Sequence, residues 1–193
     1  MSQKSQLGTM IKISLMGVIS LIIMFFEISL PIFPSFLKID LSDIPALITG
    51  FALGPLAGVL VELIKNLLHL FRTSTGGIGE LGNFLVGAAY VWPAAFYYKR
   101  HKSKKGALTG MAIGTLAMGV MGGLANYFIL LPFYETFMPI ELIVDMAAAV
   151  NPYVVDLKTL IYYTIVPFNL IKGVLIALVT LPLYKKISRV LHG

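Results

Sequence analysis

The chain has 193 residues, of which 58% are hydrophobic and 12% are charged, and its formal net charge at pH 7 is +6. Soluble domains carry about 25% charged residues, so the composition excludes an ordinary water-soluble globule of this size. Cysteine is absent, which excludes a disulfide framework and a thiolate metal site. Because each spanning helix uses roughly 20 residues, residues 1–193 are predicted to form one membrane-embedded domain.

The first apolar run starts after Lys4 and Lys12 and continues to Pro31. A basic start followed by an apolar stretch is also typical of a signal peptide. This stretch lacks the small-x-small cleavage site that such a peptide needs. We therefore expect a retained first transmembrane helix.

Six apolar runs along the chain are candidate membrane spans. They cover approximately residues 10–30, 44–53, 55–71, 81–98, 107–131 and 158–184. Gly54-Pro55 separates the second run from the third, because proline breaks or kinks a helix. The stretch 132–157 is amphipathic and interrupted by prolines, which predicts a long loop with a helical piece at the membrane surface. The predicted fold class is an all-α membrane protein with six transmembrane helices.

Basic residues concentrate in segments that six crossings place on one side of the membrane. They are Lys4, Lys12, Lys99, Arg100, Lys102, Lys104, Lys105, Lys185, Lys186 and Arg189. The opposite loops contain most of the acids, namely Asp40, Asp43, Glu80, Glu135, Glu141, Asp145 and Asp156. Lysine and arginine accumulate in short cytoplasmic loops, so both termini are predicted to be cytoplasmic. The basic surplus is thus a topology signal, aided by anionic membrane lipid, and nucleic acid is not an expected partner.

Charged side chains at membrane depth are costly and usually face the interior of a helix bundle, so they are the first candidates for function. Glu62 and Lys65 lie three residues apart in the third run and share a helix face. Their structural interpretation is an ion pair that neutralises both side chains. His69, near the outer end of the same run, is interpreted as a hydrated polar tip.

Asn126, Asn169 and Lys172 lie in runs that contain few other polar groups, and Asn169 and Lys172 share one helix face. Hydrogen bonds between helices would explain the asparagines, but a lysine without a local acid favours a ligand. Neutral amides with one ammonium suit a polyhydroxylated solute that is uncharged or mildly anionic. Side chains around the outer mouth that would enclose a flat ring are Phe33, Phe36, Leu37, Leu41, Phe84 and Tyr127.

The sequence lacks common signatures of catalysis. It contains no GxxxxGK[ST] phosphate loop, no HExxH pair and no nucleophile elbow. Its three histidines do not suggest a metal site. No catalytic residue, metal or cofactor is therefore predicted, and energised transport would require a partner that hydrolyses ATP.

Several sequence runs resemble one family of membrane proteins. Residues 36–45 read FLKIDLSDIP, residues 50–55 read GFALGP and residues 65–70 read KNLLHL. These runs resemble the substrate-binding S components of energy-coupling factor (ECF) vitamin transporters. Residues 75–84, TGGIGELGNF, and residues 169–173, NLIKG, are similar to riboflavin-specific members of that family.

The resemblance implies a fold of six helices with both termini inside and a flavin pocket near the outer face. The loop after the first helix and helices four to six would form this pocket. Asn126, Asn169 and Lys172 would hydrogen-bond the ribityl chain and the edge of the ring. Further candidates for flavin contact are Leu37, Asp40, Leu41, Asn83, Phe84 and Tyr127.

The segment from Leu37 to Leu41 would lie against the isoalloxazine, with backbone groups of that loop contacting its polar edge. An alternative assigns Asp40, Ser42 and Asp43 to loop stabilisation and to capping of the second helix, because serine and aspartate accept bonds from free helix N–H groups. Asn83 would alternatively hold the loop before the fourth helix.

Transport in this family requires a membrane scaffold subunit and two ATPases. Small residues of the first helix would contact the scaffold, because they permit close backbone approach. The usual Ala-x-x-x-Ala pattern is replaced here by Ser14, Gly17 and Ser20. The family also implies riboflavin as the transported ligand, FMN as a further candidate flavin, and a multi-pass protein of the bacterial cell membrane.

Two kinds of alternative stay open on the sequence. An S component for another vitamin, such as a pantothenate- or folate-type solute, would share these helices and loops. A membrane-embedded enzyme or an intramembrane structural protein would share the composition. The enzyme is disfavoured because no deep acid or histidine pair accompanies a nucleophile.

Overall fold

Helices form along the apolar runs, and glycine and proline residues occur in turns between them, such as Gly54 and Pro55 between the second and third runs. The computed structural model describes residues 3–192, with side chains described for residues 6–183. The helices are α1 (Gln3–Met24), α2 (Asp43–Leu53), α3 (Pro55–His69), α4 (Ile78–Arg100), α5 (Lys104–Ala125), α6 (Leu131–Tyr134), α7 (Ile140–Ala148), α8 (Leu157–Leu160) and α9 (Val166–His192). Two short strands, β1 (Ile28–Ser29) and β2 (Lys38–Ile39), pair antiparallel as a hairpin after α1. Four charges used to predict the orientation lie outside the described side chains, namely Lys4, Lys185, Lys186 and Arg189.

Within residues 3–192, three continuous helical segments are long and apolar enough to cross a membrane. They are Gln6–Met24, Lys104–Tyr134 and Leu157–Leu183. The second and third segments run through π-helical turns that join α5 to α6 and α8 to α9. The helices α2 and α3 have 11 and 15 residues, fewer than the roughly 20 that one perpendicular crossing needs.

The predicted boundary between the second and third helices is confirmed, and the predicted end of the first helix is wrong. The helix α2 ends at Leu53, Gly54 adopts φ 108°, and Pro55 begins α3, as the Gly54-Pro55 break predicts. Glycine adopts this positive φ without a steric penalty. The first helix ends at Met24 instead of continuing to residue 30. The apolar residues that follow enter the hairpin, where Ile28 pairs with Ile39.

Close contacts between helices build the largest buried cluster. The helix α4 packs along α3 and α5, while α9 packs along α5 and α2. Tyr90 and Val91 of α4 are fully buried in this cluster. An added Cβ on Gly58 would lie 2.5 Å from Val91 Cγ1 and 2.7 Å from the backbone oxygen of Ala46. The absence of a side chain at Gly58 therefore lets α3 approach both α2 and α4.

A second buried cluster closes one end of the bundle. The helix α7 lies in the stretch predicted to be a loop with a helical piece, and its residues Ile143, Val144 and Ala147 are buried. They pack with Leu131 and Leu160. The turn between α4 and α5, with its basic residues, lies at the opposite end because these two helices run antiparallel.

We expect Gly58→Ala to destabilise the protein, because the added methyl group meets backbone as well as side-chain atoms. Overpacking of this kind costs about 1–3 kcal/mol. Thermal unfolding in detergent measures the effect. Gly8→Ala is the matched control, because an added Cβ at Gly8 meets nothing within 4 Å. Equal melting temperatures for the two variants would contradict the packing described here.

Candidate functional site

A cavity of about 560 Å³ lies where the β1–β2 hairpin meets α4, the π-helical turn that joins α5 to α6, α7 and α9. This volume falls within the roughly 300–1,000 Å³ of small-molecule sites. Apolar side chains that line it include Phe36, Leu37, Tyr134, Met146 and Phe168. Polar side chains that line it include Asp40, Asn83, Asn126, Asn169 and Lys172. Such a lining suits a ligand with a flat apolar body and polar edges.

Six of the nine predicted ligand contacts line this cavity, namely Leu37, Asp40, Asn83, Asn126, Asn169 and Lys172. The structure places Leu41, Phe84 and Tyr127 outside the lining. Each of these directly follows a lining residue, and adjacent residues point about 100° apart on a helix and to opposite sides of an extended segment. Leu41 packs instead against the main core cluster, and Tyr127 packs edge-on against Phe128.

Three asparagines bring amide groups to the cavity. Asn126 Nδ2 donates to the backbone oxygen of Gly122 at 2.8 Å, and Asn169 Nδ2 donates to that of Ile165 at 2.9 Å. Each amide is thus anchored to its own helix. Asn83 Oδ1 is buried without a hydrogen-bond partner among the described residues. Because such an unpaired atom costs about 1–3 kcal/mol, a ligand that donates a hydrogen bond to it would be stabilised.

Lys172 is held by two carboxylates. Its Nζ lies 2.9 Å from Asp40 Oδ2 and 3.3 Å from Asp43 Oδ2. Asp43 Oδ1 lies 2.7 Å from Lys65 Nζ, and Lys65 Nζ lies 2.6 Å from Glu62 Oε2. We call these five residues the charge chain. The predicted Glu62–Lys65 pair is confirmed.

Lys172 has no acid nearby in the sequence, but the fold supplies two carboxylates that are distant along the chain. Its partners come from the segment before α2 and from the first residue of α2, and Asp40 precedes it by 132 residues. No helical spacing connects residues so far apart. Asp40 and Asp43 are correspondingly buried, although the charge count assigned them to outward-facing loops.

Every member of the charge chain is at most 5% exposed. Transfer of an ion from water to a protein interior costs several kcal/mol, and a close partner of opposite charge offsets this cost. Burial alone would raise the pKa of Asp40, but the ammonium groups of Lys172 and Lys65 and the hydrogen bond with Ser42 together outweigh it and hold that pKa below its ordinary value. We call residues 28–40, which contain β1 and β2, the hairpin segment. The ionised carboxylate of Asp40 therefore connects this segment to α9 through Lys172.

Ser42 holds the same segment, although not as the predicted helix cap. It occupies the N-cap position of α2 without a side-chain cap bond. Its hydroxyl accepts a hydrogen bond from Lys65 Nζ at 2.9 Å, and its N–H donates to Asp40 Oδ1 at 2.8 Å. The prediction that Asp40 stabilises the loop is confirmed, and its second oxygen binds Lys172.

Two of the small residues in α1 face the interior of this chain. Ser20 is fully buried, and its hydroxyl donates to the backbone oxygen of Ser42 at 2.7 Å. An added Cβ on Gly17 would lie 2.5 Å from Ile64 Cγ2. The predicted scaffold contact is corrected at these positions, because their close approach serves the packing of α1 within the bundle. Ser14 is exposed among large apolar side chains, which include Leu7, Met10, Ile11, Leu15 and Val18.

Two ion pairs at the cavity rim were not predicted from the sequence. His69 Nδ1 lies 2.8 Å from Glu80 Oε1, and Glu80 Oε2 accepts hydrogen bonds from two threonines of the loop before α4. His69 is therefore a bonded group of the rim and not simply a hydrated tip. Glu27 pairs with Lys38 across the hairpin. Neither pair has a regular helical spacing, so only the folded loops bring them together.

Comparisons with known proteins agree on one family. A family model described as the substrate-specific component of ECF transporters matches residues 8–184. The chain is 36% identical over 182 residues to the riboflavin transporter RibU of Staphylococcus aureus (strain TCH60), with 94% of this chain and 91% of that protein covered. It is also 36% identical over 173 residues to the riboflavin transporter FmnP of Bacillus subtilis (strain 168), with 88% and 86% covered. A solved structure of the S component of a bacterial ECF transporter matches with a TM-score of 0.76 and 32% identity, covering 97% of this chain and 99% of that chain.

We expect Lys65→Met to destabilise the protein strongly, because it leaves the carboxylates of Asp43 and Glu62 buried without their shared ammonium. Removal of one partner from a buried ion pair costs about 3–5 kcal/mol. Lys158→Met is the matched control, because Lys158 is exposed and exposed charges contribute about 0–1 kcal/mol. Thermal unfolding in detergent compares the two variants. A Lys65→Met protein as stable as the control would contradict a structural role for the charge chain.

Proposed function

This chain belongs to the family of substrate-specific components of ECF transporters, and we propose that it binds riboflavin as the substrate-binding subunit of such a transporter. The observation that carries the proposal is the convergence of Leu37, Asn126, Asn169 and Lys172 on one cavity of about 560 Å³. Two relatives that are 36% identical over most of the chain are riboflavin transporters. Riboflavin is then a transported ligand and not a cofactor, and the chain is not an enzyme.

The chemistry of riboflavin fits the lining of the cavity. The isoalloxazine is flat and largely apolar, so Phe36, Leu37 and Phe168 supply a suitable surface for it. The ribityl chain carries hydroxyl groups that hydrogen-bond to amides, and Asn126 and Asn169 present such groups. Small-molecule sites usually combine apolar walls with a few placed polar groups in this way.

Lys172 has capacity for a ligand although it is ion-paired. An ammonium has three donors. Lys172 donates one hydrogen bond to Asp40 Oδ2, and Asp43 Oδ2 lies 3.3 Å away as an ion-pair partner that accepts no hydrogen bond. A further donor is available to a flavin oxygen, because Lys172 lines the cavity. Since the two carboxylates already fix the position of the ammonium, little freedom is lost when a ligand binds.

The hairpin segment forms a wall of the site, and contacts with α9 hold it in place without a bound ligand. It carries Phe36 and Leu37, which line the cavity, and its end is tied to α9 by the Asp40–Lys172 pair. Phe33 packs edge-on against Phe168 at a ring separation of 5.2 Å, which adds an apolar contact between the same two elements. The arrangement supports a preformed pocket.

The proposal includes six crossings of the bacterial cell membrane, with both termini in the cytoplasm and the cavity open to the outside. Two observations support this orientation. The basic turn between α4 and α5 lies at the end opposite the cavity, and lysine and arginine favour the cytoplasmic side. Exposed aromatic residues near the cavity end, including Phe137, Tyr153 and Tyr162, are typical of a membrane interface.

This chain has no phosphate loop of its own, so uptake requires ATP hydrolysis by partner subunits. The two ATPases hydrolyse ATP, and the scaffold subunit connects them to this chain. The exposed apolar face of α1 supplies the surface for the scaffold. That face carries Leu7, Ile11 and Leu15, whose side chains are 61%, 51% and 59% exposed. Membrane lipid contacts the rest of the apolar surface, and anionic lipid is attracted to the basic turn.

We expect the purified protein to bind riboflavin at nanomolar concentration, and Asn126→Ala and Asn169→Ala each to weaken binding about 5- to 150-fold. This range corresponds to the loss of about 1–3 kcal/mol when a buried polar partner is removed. Quenching of flavin fluorescence during titration measures the affinity.

Phe128→Ala is the control for this titration, because Phe128 is 67% exposed and lies outside the cavity lining. Its affinity is expected to equal that of the unaltered protein. Thermal unfolding of each variant separates loss of binding from loss of folding. No binding by the unaltered protein at micromolar riboflavin would refute the proposed function.

A further inference from the structure

Glu27 and Lys38 form an ion pair at the mouth of the cavity. Glu27 directly precedes β1 and Lys38 lies in β2, so the antiparallel hairpin brings them together. Both side chains line the cavity, and both stay in contact with solvent, at 42% and 45% exposure respectively. An entering ligand can therefore contact both charged groups. The ion pair also stabilises the hairpin.

The lysines that line the cavity are both neutralised within the described part of the chain. Lys38 is paired with Glu27, and Lys172 is paired with Asp40. The remaining charged carboxylate of the lining, Glu80, is satisfied by His69 and by threonine hydroxyls. The cavity thus contains three carboxylates and two lysines, and neither lysine is free of a carboxylate.

We infer that Glu27 is a specificity-determining residue, which occupies Lys38 and makes the site favour uncharged riboflavin over its phosphate ester FMN. This inference rests on the proposed function. A phosphate monoester carries a charge of about −1.5 to −2 at pH 7, and proteins bind it with charged donors that are free to contact it. Lys172 keeps a donor for a flavin oxygen, but two buried carboxylates already balance its charge. Lys38 is therefore the lysine at the mouth whose charge a phosphate would have to recruit.

Recruitment of Lys38 by a phosphate has two costs. The ammonium must leave Glu27, and the released carboxylate then stands near the phosphate with the same sign of charge. Riboflavin has neither cost because its ribityl chain ends in a neutral hydroxyl. Replacement of Glu27 by glutamine removes both costs and leaves Lys38 available.

Riboflavin and FMN titrations of the unaltered protein, Glu27→Gln and Glu135→Gln test the inference through the ratio of the two dissociation constants. Glu135→Gln is the matched control, because Glu135 is exposed near the same end of the bundle and does not line the cavity. Both substitutions remove one negative charge and preserve the shape of the side chain.

We expect the unaltered protein to prefer riboflavin, and Glu27→Gln to reduce this preference about fivefold, which is the effect of one unit charge at about 4 Å in water. Glu135→Gln should retain the original ratio. An unchanged ratio in Glu27→Gln, an equal change in Glu135→Gln, or no initial preference would each overturn the inference while riboflavin binding stands. Failure of the unaltered protein to bind riboflavin would instead overturn the proposed function, and this inference with it.

Discussion

Lys172 connects parts of the molecule that no local interaction joins. Its ammonium binds Asp40 at the end of the hairpin segment and Asp43 at the start of α2, and Asp43 continues the chain to Lys65 and Glu62 in α3. Each of these charges would be costly to bury alone, so the five groups stabilise the fold as a unit. The relative positions of the hairpin, α2, α3 and α9, and with them the walls of the cavity, depend on this interaction.

The surrounding helices leave space for the charge chain. An added Cβ on Gly87 of α4 would lie 2.6 Å from Glu62 Oε2 and 3.4 Å from Asp43 Oδ1, so glycine is needed where α4 passes the carboxylates. On the side of α1, Ser20 donates to the backbone of Ser42, which contacts Lys65 through its hydroxyl. A ligand bound to Lys172 from the cavity would therefore contact a group that is rigidly connected to the interior of the bundle.

Local features of the arrangement could be predicted from the sequence. Apolar length and the Gly54-Pro55 break are signals carried by neighbouring residues, and Lys172 was identified because it is polar at membrane depth. The Asp40–Lys172 pair could not be predicted, because 132 residues separate its members. Tyr127 illustrates a different difficulty, since a shift of one residue turns a side chain away from the cavity. Gly17 illustrates a third, because a small residue permits close approach without identifying the helix that approaches.

The most direct measurement is an experimental structure of the protein with riboflavin, determined in a lipid nanodisc. We expect the flavin to occupy the cavity between the hairpin segment and α9, in hydrogen-bond contact with Asn169 and Lys172. Lys172 Nζ should stay within hydrogen-bond distance of Asp40, because the ion pair is expected to position the ammonium for the ligand. A flavin bound elsewhere, or bound in this cavity with the Asp40–Lys172 pair separated, would contradict the view that the charge chain preforms the site.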